Sequence, residues 1–263
     1  MEEVVVKSGI KHCRVCFEPV EREIAFPLCD GTGRTDVRRV TTSCRCDREK
    51  KAEIENRFKY EEEQREINKL RQLSLMDAKL KDIRFLNYYQ TPENEKVFKI
   101  AKKYVDKFDE LYTKGQGLMF WGDVGTGKSY TAAAIANELL DRQVPVIMTS
   151  FIKLLKEVGE SDYVDRLNRA KLLIIDDLGA ERSTDYALEK VYDIIDSRYR
   201  SAKPIILTTN LTMEEMKNSE DIRFNRIYDR IFEMCYPVKV TGKSWRKKEA
   251  VARFEDMRKM LED

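Results

Sequence analysis

The chain has 263 residues, room for one ordinary domain and a smaller module, so a sizeable core can form without disulfide staples. Charged residues make up 37% of it, yet 49 Lys and Arg against 47 Asp and Glu leave +2, so net charge alone points to no nucleic acid. One histidine, His12, excludes a Ser-His-Asp triad, an H-E-x-x-H zinc protease and any three-histidine metal site.

The chain opens Met1-Glu2-Glu3, without a basic and apolar leader, and no apolar run approaches the roughly 18 residues of a membrane span. A cytoplasmic protein with no membrane partner is expected. Five of six cysteines fall within the first 46 residues, a poor layout for a secreted disulfide scaffold and a reasonable one for a metal in a reducing compartment. Short β-like stretches, Glu23 to Phe26 and Val37 to Thr42, flank the turn sequence Asp30-Gly31-Thr32-Gly33 and predict a small hairpin module over 1–46. Cys13-x₂-Cys16 and Cys44-x-Cys46 are close pairs 27 residues apart. Their thiolates can converge on one tetrahedral Zn²⁺ if the chain between them goes out and back. Cys29 is left out of the first ligand set because an uninterrupted strand would carry it far from the knuckles, but Pro19 could bend the chain. His12 or Cys29 replacing one ligand stays open, as do free buried thiols.

Residues 47–84 form a second composition. From Asp47 to Asp82 there is no Gly or Pro, 20 of 36 residues are charged, and the sparse apolar positions keep no heptad. A mostly exposed connecting helix is predicted.

From Phe85 onward strands alternate with helices. Strands are expected at Gly117 to Trp121, Val144 to Met148, Leu172 to Ile175 and Pro204 to Thr208, and helices at Ser129 to Leu140, Ser150 to Val158 and Asp185 to Tyr199. This order predicts an α/β domain over 85–263 with a parallel sheet covered on both faces. The last helix spaces Ala250, Phe254, Met257 and Leu261 along one stripe, read as packing against the domain.

Gly122-Asp123-Val124-Gly125-Thr126-Gly127-Lys128-Ser129 fits G-x-x-x-x-G-K-[ST] between a predicted strand and a predicted helix, the context that motif requires. The glycines let backbone N–H groups wrap a phosphate, Lys128 reaches the β and γ phosphates, and Ser129 offers a hydroxyl to Mg²⁺. These residues, Tyr130 after them and Asp176 form the candidate nucleotide-binding set. Asp176 and Asp177 end an apolar strand some fifty residues on; the first supports Mg²⁺ and the second orients or deprotonates the attacking water. No N-K-x-D or L-S-G-G-Q motif occurs, so ATP is the expected nucleotide. Asn210 closes the next strand, level with the γ phosphate. Arg223, Arg226 and Arg230 share one helix face, either a solvated basic face or the source of a γ-phosphate arginine. Arg246, in Ser244-Trp245-Arg246, is a second candidate.

Together the phosphate loop, LLIIDDLGAE at 172–181, DSRY at 196–199, PIILTTN at 204–210, DRI at 229–231 and SWR at 244–246 resemble the AAA+ ATPases of the DnaC/DnaI helicase-loader family and its IstB-type transposition-helper relatives. The resemblance covers roughly 85–250. It implies a three-layer AAA+ P-loop sandwich, with Lys128 and Ser129 as Walker A, Asp176 and Asp177 as Walker B, Asn210 as sensor I, Arg230 as a finger acting in trans and Arg246 as the sensor II arginine. Asp177 stands where most AAA+ proteins carry Glu, a shorter reach that suits slow hydrolysis. Only about 17 residues follow Arg246, too few for the helical lid of most AAA+ proteins. The cysteines make the likeness one to the phage and Firmicute type, whose N-terminal cysteine-rich, zinc-binding segment precedes the ATPase and contacts the replicative helicase. The resemblance therefore implies an ATP-dependent loader that binds a DnaB-type hexameric helicase, delivers it to single-stranded DNA and assembles as a homo-oligomeric ring or spiral. A transposition helper that binds duplex DNA is the alternative. DNA contacts are poorly specified, Lys153, Lys156 and Arg246-Lys247-Lys248 being candidates.

Overall fold

The computed structural model describes residues 4–7, 9–27, 35–73, 78–157, 163–179 and 185–262. Two compact units divide the chain, Met1–Arg65 and Glu66–Asp263.

The first unit holds two antiparallel hairpins. β1 (Val4–Lys7) pairs with β2 (Ile10–Cys13), and β3 (Glu21–Pro27) with β4 (Thr35–Thr41) in a continuous register from Glu21 opposite Thr41 to Pro27 opposite Thr35. The expected hairpin is therefore present, and its turn at 30–33 lies outside the described residues. α1 (Arg45–Leu73) begins in this unit. It has no apolar face, and i,i+4 ion pairs such as Asp47–Lys51 and Arg57–Glu61 line its surface instead. The single rod expected as far as Asp82 is not formed, because Ala78–Leu80 is a separate 3₁₀ turn.

The second unit runs α2 (Glu95–Asp106), α3 (Phe108–Thr113), β5 (Gly117–Trp121), α4 (Lys128–Asp141), β6 (Val146–Ser150), α5 (Phe151–Glu157), α6 (Tyr163–Arg169), β7 (Leu172–Leu178), α7 (Asp185–Arg200), β8 (Ile205–Thr209), α8 (Met213–Lys217), α9 (Ile222–Met234), β9 (Cys235–Lys239) and α10 (Trp245–Glu262). Five strands form one parallel sheet in the order β6-β7-β8-β5-β9. Alternate residues feed two separate cores. Leu118, Phe120, Leu172, Ile174 and Ile206 pack with α2 and α4 on one face. Met119, Leu173, Ile175, Ile205 and Leu207 pack with the α5, α7 and α9 side on the other. This is the parallel sheet covered on both faces that near-continuous apolar strands require.

The edge strand β9 is absent from the sequence-based expectation. Its sequence, Cys-Tyr-Pro-Val-Lys, is short and carries Pro237, which a strand tolerates only at an edge. A second difference concerns α10. Phe254, Met257 and Leu261 are 71%, 48% and 75% exposed, so the stripe read as packing faces away from the domain.

The DSRY segment has a structural member. Arg198 is fully buried, and its guanidinium donates to the carbonyls of Ala170, Lys171 and Pro204 where β7 and β8 begin. Burial brings its pKa down to about 10.

Candidate functional site

β5 ends at Trp121, and the loop that follows turns directly into α4. Two of its glycines are dictated by space as well as by conformation. Gly122 (φ +135°) and Gly125 (φ +82°) would place a Cβ 2.4 Å from the Val240 carbonyl oxygen and 2.2 Å from Ser244 Oγ, so no side chain fits at either. The loop thus lies against the segment after β9, tied by Trp245 N–H to the Gly125 carbonyl at 2.9 Å. Gly127 caps α4, whose first N–H groups have no intrahelical acceptor and make an anion cradle.

Lys128 is almost fully buried, and its ammonium donates to the Gly122 carbonyl (2.8 Å), the Asp123 carbonyl (2.7 Å) and Asn210 Oδ1 (2.8 Å). Burial lowers its pKa, opposed by the Asp177 and Asp176 charges. Asn210 in turn donates from Nδ2 to Asp177 Oδ1 at 2.9 Å. Lys128, Asn210 and Asp177 therefore form one relay across the ends of β5, β8 and β7. Ser129 and Thr208 hydroxyls donate to the Asp176 carboxylate and lower its pKa, but burial outweighs them and raises it.

Adjacent residues of a regular strand point to opposite faces. Here Ile175 opposes Leu207 while Leu178 opposes Thr209, a bulge that fits two residues of β7, Asp176 and Asp177, against Thr208 alone. Asp177 adopts the left-handed φ of +63°. Both carboxylates consequently serve one site. The hard oxygen donors of Ser129 and Asp176 suit Mg²⁺, and the loop's glycines and free N–H groups suit a polyphosphate.

The remaining loop residues are arranged around this cluster. Thr126 is buried and donates to the Asp123 carbonyl at 2.8 Å, while Asp123 and Val124 are exposed. Tyr130 is turned elsewhere: its hydroxyl donates to the Asn87 carbonyl and its ring meets Tyr88 edge-on at 5.0 Å. A cleft of about 700 Å³ opens beside Thr126, walled by Asn94, Glu93, Thr241, Lys243 and Trp245. Trp245 also meets the Tyr89 ring edge-on at 5.1 Å. Sequence reasoning missed this wall; it read Ser244-Trp245-Arg246 for the arginine and not for the indole.

In the first unit the Sγ atoms of Cys13, Cys16, Cys44 and Cys46 all lie within 4.8 Å of one another. A tetrahedral Zn²⁺ with Zn–S near 2.3 Å needs S···S separations of about 3.8 Å, so the four fit it. Cys13 ends β2 and Cys16 lies on the turn that follows, closed by Phe17 N–H to the Cys13 carbonyl with Phe17 at φ +58°. The second pair opens α1. Glu18 joins the two, accepting from the Arg45 N–H at 2.6 Å and from Arg48 at 3.3 Å. Backbone N–H groups near Glu18 and Cys46 bring the Cys16 thiol down to about 6, whereas hydrogen bonding with Cys16 pushes Cys46 up to about 11. Four crowded sulfurs resist joint deprotonation unless a cation shares their charge. His12 stands outside the set, its Nδ1 3.0 Å from the Ile10 carbonyl, and Cys29 lies outside the described residues.

The IstB-like ATP binding protein family model matches residues 51–252. The chain belongs to that family. Among curated relatives of this IstB-like protein, the phage-like element PBSX protein XkdC of Bacillus subtilis (strain 168) is 31% identical over 163 residues, 56% of this chain and 59% of the relative. The replicative helicase loader DnaC of Escherichia coli (strain K12) is 30% identical over 164 residues, 55% of this chain and 64% of the loader. The replicative helicase loader DnaI of Bacillus subtilis (strain 168) is 26% identical over 172 residues, 59% of this chain and 55% of the loader. The chain thus spans less than two thirds of each. The crystal structure of DnaI superposes with a TM-score of 0.55 at 26% identity, covering 64% of this chain and 96% of that one. The DnaC helicase loader structure gives 0.55 at 22% identity, covering 63% and 100%. The fold of the second unit is accordingly the AAA+ P-loop type.

The two arginines of this IstB-like chain are placed differently. Arg246 opens α10 as an exposed residue whose charge reaches Lys128 and Asp176. Arg230 on α9 is engaged by residues of its own chain. It pairs with Asp196 at 2.8 Å, donates to the Tyr192 hydroxyl at 3.0 Å and lies over the Tyr192 ring at 4.8 Å. Among the described residues its partners lie on α7 and α9, none of them on the phosphate loop.

Proposed function

We propose that this chain is an ATP-hydrolysing loader that binds a hexameric DnaB-type replicative helicase and delivers it to single-stranded DNA. The observation that carries the reading is the relay Lys128–Asn210–Asp177 beside a glycine-rich anion cradle, in a chain that also gathers four thiols on a separate unit. In this reading the α4 N-terminus and Lys128 hold the polyphosphate, whose γ oxygens compete with Asn210 for the ammonium. Ser129 and Asp176 hold Mg²⁺, which when bound neutralises phosphate charge. Asp177 takes a proton from water as its oxygen attacks the γ phosphorus, and Asn210 keeps that carboxylate aimed. The bond to the β-phosphate oxygen breaks, and ADP and phosphate leave. Arg246 stabilises the phosphates from the same subunit. Arg230 does so from a neighbour in a homo-oligomeric ring or spiral, after exchanging Asp196 for phosphate oxygens. The base lies in the cleft against Trp245. Cys13, Cys16, Cys44 and Cys46 hold Zn²⁺, and the unit they staple contacts the helicase.

Two names support the loader reading over a transposition helper, since DnaC and DnaI are both replicative helicase loaders. The test is co-purification of the full chain with the replicative helicase of its host, together with ATP turnover. Helicase capture that Cys44→Ser abolishes, with hydrolysis that Asp177→Asn abolishes, is the expected result. Capture of duplex DNA and a transposase instead of the helicase would overturn the loader reading in favour of the transposition helper.

A further inference from the structure

The acidic pair at the end of β7 is held in an arrangement that its own sequence does not enforce. Without the bulge, Asp176 and Asp177 would face opposite sides of the sheet, and only one could meet the phosphate loop. With it, both sit opposite a single residue of β8, Thr208. That residue is 1% exposed, so its hydroxyl is shielded from bulk solvent. The hydroxyl instead accepts from the Asp177 backbone N–H at 2.8 Å and donates to Asp176 Oδ1 at 2.6 Å. One oxygen thus fixes the backbone of the left-handed residue and the carboxylate of its neighbour.

We infer that Thr208 is the positioning residue of the acidic pair: its hydroxyl holds the bulge that turns Asp176 and Asp177 onto the same magnesium–nucleotide site. The inference rests on the ATPase reading and adds a residue to it. Thr209 supplies an internal comparison, because its hydroxyl donates to the Leu178 carbonyl at 2.7 Å and accepts from the Leu211 N–H at 3.1 Å, bonding backbone but no carboxylate. Both threonines are buried on β8, and only one touches the acids.

The consequence separates binding from its magnesium dependence. Thr208→Val keeps the shape and removes both bonds, so the phosphate loop stays intact while the acids lose their common orientation. Thr208→Ser keeps the hydroxyl. The experiment uses the full chain as wild type, Thr208→Val, Thr208→Ser, Thr209→Val and Asp177→Asn. It measures ATP affinity in EDTA and in magnesium by equilibrium dialysis, then kcat and KM, then the melting temperature.

Thr208→Val should bind ATP in EDTA within about threefold of wild type, lose about tenfold of the tightening that magnesium gives, and lose about tenfold or more in kcat. Thr208→Ser should recover both, and Thr209→Val, at a comparable loss of melting temperature, should keep the magnesium response. A wild-type magnesium response in Thr208→Val, or equal losses in the two valine variants, would overturn the inference. So would a wild-type affinity that magnesium leaves unchanged. A wild-type chain that turns over no faster than Asp177→Asn refutes hydrolysis, and the magnesium-dependent affinity then still decides the role of Thr208.

Discussion

The two units of this chain reach order by opposite routes. The sheet domain buries two apolar layers, one on each face, with residues such as Phe120, Ile135, Ile174 and Leu173 wholly removed from water. In the first unit Cys44 is the one buried residue among those described, and Val15, Phe17 and Val37 stand exposed at 78%, 63% and 57%. Hydrophobic burial can sustain the former by area alone. The described residues of the latter form no apolar core, and four thiols gather there instead. With Zn²⁺ bound as proposed above, stability would be a property of side-chain volume in one unit and of ligand chemistry in the other.

Metal removal should break this comparison most visibly. Chelation, or Cys44→Ser, should leave residues 9–27 and 35–65 unprotected in amide hydrogen exchange, with protection of the five-stranded sheet unchanged. A protein containing about one equivalent of zinc before chelation is the companion result; protection that survives chelation would show that the hairpins hold themselves.

Lys128→Ala should reduce ATP binding and turnover by at least about a hundredfold, measured by dialysis and phosphate release, since the ammonium is the charge in the cradle. The sheet core should not notice. A next, structural effect is expected from Arg198→Met, which leaves three carbonyls at the strand starts without a donor and should cost about 3 kcal/mol in denaturant unfolding. The smallest effect belongs to α10: Phe254→Ser, at a position 71% exposed, should shift stability by less than about 0.5 kcal/mol. A larger loss there would mean that α10 packs on something in solution.

What could be read from the residues follows from how local each signal is. The phosphate loop is contiguous and its glycines are obligatory, so the motif and its strand-to-helix context were legible together. Strands such as Leu172–Leu178 announce themselves as apolar runs ending in acid. The bulge is different, because it is a relation between Asp176, Asp177 and a hydroxyl 31 and 32 residues away. Neither strand carries a mark of it. Arg230 is legible as a cation on a helix face, but its partner Asp196 lies 34 positions earlier, and nothing local to either residue marks the pairing. β9 escaped because Pro237 argues against a strand wherever its edge position is unknown. The α10 stripe had the right spacing for packing, and spacing cannot say whether a neighbour exists.

No residue separates α9 from β9: the helix ends at Met234 and the strand starts at Cys235. β9 is then hydrogen-bonded alongside β5 from Gly117 to Trp121, and the Val240 N–H continues the ladder to the Trp121 carbonyl at 2.8 Å. Mechanically this is a linkage without slack. A push on the helix that bears Arg230 has no loop in which to dissipate, and it travels along a strand edge to the base of the phosphate loop. The chain then passes through the loop at 240–244, and the Trp245 N–H on the Gly125 carbonyl ties it to the phosphate loop a second time.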